Sequence, residues 1–166
     1  ASSIWVLNAG VTADLEHKGD RYSLQYLGAY TRYTASSLDN INSHTLRLQG
    51  ANTLNVRHAV RWEAGLVDSF DPRGSTDATM DVQAPSHYQT YRMGGTYVYG
   101  AEGAKGRIEA DAFFSNKEYK NNRETMATAD VDSTELNGRF YWRVMPKTSA
   151  AFELRYANYD YVAANA

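Results

Sequence analysis

The chain has 166 residues, a net charge of -2, no cysteine, a mean hydropathy of -0.57 and no long apolar run. Together these exclude disulfide and thiolate chemistry, transmembrane helices of about 20 apolar residues, and the clustered basic surface of a nucleic-acid binder. They leave a membrane open, because a barrel strand needs only about 9–11 residues and hides its apolar groups at every second position.

Alternation at period two predicts eight strands. The first runs from Ile4 to Glu16, with Trp5, Leu7, Ala9, Val11, Ala13 and Leu15 on one face; a short turn at His17–Asp20 follows. The second covers Arg21–Ala35 and leads into a polar loop, Ser36–Ser43. Strands three (His44–Asn55) and four (Ala59–Phe70) flank a tight link, and a long connection spans Asp71–Ser86. Strands five (His87–Gly100) and six (Arg107–Tyr119) flank the Gly-bearing turn Ala101–Gly106. A polar stretch, Lys120–Asp132, comes next and has the composition of a partly disordered loop. Strand seven sets Leu136, Gly138, Phe140, Trp142 and Val144 against Glu135, Asn137, Arg139, Tyr141 and Arg143; Met145-Pro146-Lys147 then turns the chain into strand eight, Thr148–Tyr161.

Helix finds no place in this pattern, since alternate apolar residues would surround a helix rather than line one side of it. Short links cannot make parallel crossovers, so the sheet is expected to be antiparallel. The fold class that follows is all-β, an up-and-down transmembrane β-barrel with about eight strands in residues 1–166, one domain or a segment of one. Two regularities favour a membrane barrel over a soluble sandwich or barrel. Short turns follow strands one, three, five and seven while long loops follow two, four and six, the sorting of an outer-membrane barrel. Charge also sorts by face, and Arg32, the exception by parity, lies near a loop. A lipid-facing Arg or Lys at the midplane costs roughly 2–4 kcal/mol, which accounts for that sorting. Thirteen tyrosines suit a membrane boundary, where a ring and a polar tip are both satisfied. Strand one enters from the long-loop side and strand eight returns to it, so the strands are expected to belong to a larger barrel or to close with partner chains.

The hairpin Leu136–Ser149 with Phe152-Glu153-Leu154-Arg155-Tyr156, the Asp71-Pro72-Arg73-Gly74 segment and Tyr91-Arg92-Met93-Gly94-Gly95 resemble the type 2 β-barrel porin family of outer-membrane proteins. The resemblance implies an outer-membrane pore associated with exopolysaccharide or capsule production. It carries over no catalytic motif.

The pore reading assigns lumen-lining roles to Arg47, Arg61, Glu63, Arg92, Glu109, Asp111, Glu135, Arg139, Arg143, Glu153 and Arg155. Rings of such charges bias which solutes pass. Glu109 and Asp111, on one face of one strand, are expected near Arg107 and Arg139 as part of a charge lattice. Phe113 and Tyr141 lie on the same face and are expected to pack against lumen neighbours rather than stack on sugar rings. His17, His44, His58 and His87 sit near strand ends without metal-ligand spacing, and the Asp130/Asp132 and Asp68/Asp71 pairs lack the glycine and terminal glutamate of a calcium loop. No Gly-x-Ser-x-Gly elbow occurs, and no enzyme or cofactor is expected. The expected partners are the outer-membrane lipid bilayer and polar solutes or polysaccharide, with no nucleic acid. The alternative is a structural or adhesive scaffold that binds through its long loops.

Overall fold

The computed structural model describes residues 3–73, 84–101 and 103–161. Alternation gives strands where it was expected: β1 Ile4–His17, β2 Asp20–Tyr33, β3 Ile41–Asn55, β4 His58–Asp71, β5 Ser86–Tyr99, β6 Gly106–Tyr119, β7 Val131–Met145 and β8 Thr148–Tyr161. Tight turns join β1 to β2, β3 to β4 and β7 to β8. In the first of these Lys18 and Gly19 take φ of 51° and 88°, the left-handed pair that a two-residue type I′ hairpin turn requires.

Each strand pairs antiparallel with the next, in chain order β1 to β8. Among the described residues β1 pairs only with β2 and β8 only with β7, so the sheet is not closed into a barrel. Pairing is continuous except for bulges at Thr53/Asn55 and Arg143/Met145, both beside short turns. Register keeps each face uniform: the row through Leu15 continues to Tyr22, Gly50, Trp62, Gly95, Ala112, Leu136 and Tyr156.

The polar stretch before β7 departs from expectation. It forms one helical turn, α1 (Arg123–Met126), and a 3₁₀ turn at Ala127–Ala129. Side chains supply the bonds that local propensity does not: Asn121 donates to the Pro85 carbonyl at 3.0 Å and Asn122 to Ser86 Oγ at 3.1 Å, while the His87 N–H donates to Asn121 Oδ1 at 2.7 Å. Met126 is buried beneath.

Burial is inverted relative to a protein folded around an apolar core. Among the described residues the buried hydrophobic side chains are Val98, Tyr119 and Met126 alone, whereas Trp5, Leu7, Met93, Phe140 and Leu154 are exposed. Ser86, Thr96, Glu109, Asp130 and Ser133 are buried. A single sheet has no second layer to bury its apolar face. On the charged face long side chains shelter the side chains of their neighbours; on the apolar face the aromatic rings bury only Gly28 and Gly50 among the described residues.

Candidate functional site: a charge lattice on one face

Glu109 on β6 is the centre of the charged face. Register places it between Val98 on β5 and Arg139 on β7, and its carboxylate meets three guanidinium groups. Arg107 Nη2 lies 2.5 Å from Oε1, Arg139 Nη2 3.3 Å from Oε2 and Arg61 Nη2 3.9 Å from Oε1. Two residues along the strand, Asp111 accepts from Arg139 Nη2 at 2.7 Å and from Asn137 Nδ2 at 3.1 Å. Asn137 also donates to Glu153 Oε1 at 3.0 Å, and Arg155 pairs with Glu153 at the same distance. Arg107 and Arg139 are thus beside the two carboxylates as expected. Asn137 is a bridge that spacing alone does not single out: its neutral amide donates to two carboxylates without adding charge.

A second cluster lies toward the long-loop end. Arg92 pairs with Glu63 at 3.3 Å and reaches over β6 to Glu135 on β7 at 3.9 Å. Its guanidinium stands 4.7 Å from the Phe113 ring centroid, a cation–π contact. Phe113 itself lies against Gly94, where a Cβ would come within 2.4 Å of the ring. A glycine is required there for the ring to lie flat on the strand. Phe113 therefore packs against lattice neighbours, whereas Tyr141 lines a cavity of about 280 Å³ with Arg107, Glu109, Arg143 and Ser149. Arg47 and Arg143 make no ion pair among the described residues. A larger hollow of about 690 Å³ overlies Gln49, Arg61, Glu63, Thr96 and Phe113.

At the long-loop end the same face is closed over by the β6–β7 loop. Tyr119 Oη donates to Asp71 Oδ2 at 2.7 Å, Lys117 Nζ donates to Tyr119 Oη at 2.8 Å, and the Tyr119 N–H donates to Asp130 Oδ1 at 2.7 Å. Arg123 pairs with Asp130 from within the loop. Lys117 also lies over the rings of Tyr88 and Tyr119. Between the loops, Arg73 pairs with Asp39, and the guanidinium holds that carboxyl below its ordinary value of 3.8.

The apolar face carries its own pattern. Aromatics near the short turns include Tyr22, Trp62, Tyr97, Tyr99, Phe140, Trp142 and Phe152; toward the long loops they include Trp5, Tyr30, Tyr26, Phe70, Tyr91, Phe114 and Tyr156. Aliphatic and small residues, among them Leu24, Leu48, Ala64, Met93, Ala112 and Gly138, lie between. Polar tips at both borders find partners. Trp62 lies across Gly50 and donates from Nε1 to Asn52 Oδ1 at 3.1 Å, and Asn52 donates to Tyr22 Oη at 2.5 Å and Asp20 Oδ2 at 3.0 Å. At the other border Tyr26 bonds His44 Nδ1 at 2.7 Å, and His87 Nε2 lies 2.8 Å from Asp68. His44, His58 and His87 are in this way companions of tyrosines or a carboxylate at strand ends. Among the described residues no three His, Cys, Asp or Glu side chains cluster as metal ligands.

No protein-family model, curated protein or solved structure matches this chain.

Proposed function

We propose that this chain forms the wall of an outer-membrane β-barrel pore, with its apolar face toward lipid and its charged face toward a polar lumen. The inversion of burial carries the reading: a carboxylate ringed by arginines is sheltered while large side chains of the apolar face, among them Trp5, Leu7, Met93, Phe140 and Leu154, are exposed. Water would penalise that exposure at about 25 cal/mol per Å² of apolar surface, and hydrocarbon removes the penalty. Further support comes from the two aromatic borders, which have the composition of interfacial girdles, and from the sorting of turns and loops to opposite ends. Polar solutes, exopolysaccharide among them as the family resemblance implies, are the proposed cargo.

The test is conductance of the full chain refolded into planar bilayers, with brominated lipids as a parallel probe of depth. Trp62 and Trp142 should be quenched by bromines near the interface, and current steps should follow insertion. A chain that remains in the aqueous phase, or inserts without conducting under any voltage, defeats the proposal. A second reading, a scaffold that binds through its loops, gains nothing from the β6–β7 loop, whose Asn121, Asn122, Arg123 and Asp130 are engaged within the chain.

A further inference from the structure

The charged face has both signs in near balance, yet the two signs are not equally presented. In the central lattice two of the three carboxylates are covered: the Glu109 and Asp111 side chains are 7% and 8% exposed, while Glu153, at 36%, is open beside Arg155 at 76%. The arginine side chains that cover them are more open, Arg61 at 53%, Arg107 at 38% and Arg139 at 31%, although Nε of Arg107 and of Arg139 is buried. Arg143 adds a further cation beside the cavity at Arg107 and Tyr141, with no carboxylate paired to it among the described residues. At this level of the face, then, exposed arginine outnumbers exposed carboxylate: Arg61, Arg107, Arg139 and Arg155 are open against Glu153. The cluster nearer the long loops is acidic by contrast: one cation, Arg92 at 40%, stands between two carboxylates, Glu63 at 35% and Glu135 at 42%.

Potential near a surface is set by the charges closest to the solute, because more distant ones are screened over about 8–10 Å at physiological salt. Covering an acid with a base on the solvent side turns a neutral pair into a local donor surface. Guanidinium also matches carboxylate, sulfate or phosphate oxygens with two parallel N–H donors. Resting on the pore reading above, we infer that the pore prefers anionic solutes, and that Arg61, Arg107, Arg139 and Arg143 set the preference. Glu109 and Asp111 have a positioning role: they hold the guanidinium groups in place and take no direct part in contact with the solute.

The experiment is the reversal potential of the refolded full chain across a potassium chloride gradient. The expected result is a chloride-over-potassium permeability ratio above 1 in the native chain. In Arg61→Gln/Arg143→Gln the ratio should fall toward about 1, since rings of charged side chains set selectivity. Neither substitution removes the closest partners of the buried Glu109, so this variant retains the Arg107 and Arg139 contacts. Arg32→Gln, which removes a cation bonded to the Thr31 and Ile41 carbonyls outside the lattice, should leave the ratio unchanged. A native ratio below 1, or a double variant with an unaltered ratio, overturns the anion preference and leaves the pore standing. Absence of current from a chain shown to be folded and inserted by heat-modifiable gel mobility overturns the pore and the preference together.

Discussion

Glu109 and Trp62 lie on opposite faces of one sheet and exchange the places that water would give them. The carboxylate is 5% exposed and the indole 36%. Neither value comes from a second layer, because the sheet has none. Glu109 is covered by the arms of arginines, whose methylene stems shelter what their charged ends bind. Trp62 lies over Gly50, with Asn52 at its edge and the Tyr22 ring beside it, 6.4 Å between centroids. One face thus covers its central charge with protein, and the other leaves large apolar side chains exposed.

The sharpest way to break this contrast is to place the same charge on both faces. Ala112→Arg, between the aromatic borders of the apolar face, should destabilise the bilayer-refolded protein by about 2–4 kcal/mol. Gln49→Arg on the charged face should remain within about 0.5 kcal/mol. Denaturant unfolding in lipid vesicles measures both, and equal costs would refute the assignment of faces. Next comes the lattice itself. Glu109→Ala leaves Arg107 and Arg139 without their shared acceptor, and should cost about 2 kcal/mol, because the guanidiniums are partly solvated and recover some hydration. A loss under a few tenths would mean the pairs are ornamental.

The loop-end cluster offers a smaller effect. Tyr119→Phe removes the hydroxyl that joins Asp71 to Lys117 and should cost about 1 kcal/mol, with faster proteolysis within Lys120–Asp130 as a second readout. Smallest is the exposed Asp39–Arg73 contact. Its carboxyl is held below the ordinary value of 3.8, so the contact contributes fully above that value and is lost as pH falls through the depressed one. Hydrogen exchange in Thr34–Asn40 should accelerate only below pH 3.8; acceleration at neutral pH on Arg73→Gln alone would show the same link without titration.

The sequence made the period-two strands, the short turns and the separation of charge legible, because each follows from local alternation. It was less informative at the long-loop end. Alternation starts β3 at His44 and leaves Val131 and Asp132 in a loop, whereas the strands start at Ile41 and Val131. There the strands run on past the apolar band, so Asn42, His44, Asn116 and Asp132 make both faces polar and alternation loses its contrast. The fold of Lys120–Asp130 was illegible for a different reason. It depends on Met126 and on bonds from Asn121 and Asn122 to a segment more than thirty residues earlier, which no local pattern records. Within the candidate site, the Glu109/Asp111 pair could be anticipated from spacing. Asn137 and Gly94 could not, since an amide bridge and a seat for Phe113 emerge only once the strands are in register.

That register has one more geometric consequence. The hydrogen-bonded row that passes through Tyr22 at the short-turn border of β2 reaches Tyr156 at the long-loop border of β8. The short-turn border in turn moves three rows, from the level of Tyr22 on β2 to that of Trp142 on β7. Two residues per row spread over five strand steps is a slip of about 1.2 residues per strand; with a rise of about 3.3 Å and a spacing of about 4.8 Å, the strands lean about 40° from the normal to the aromatic borders. Membrane barrels tilt their strands by about 35–45°. The lean of the strands is thus written in where the tyrosines and tryptophans fall.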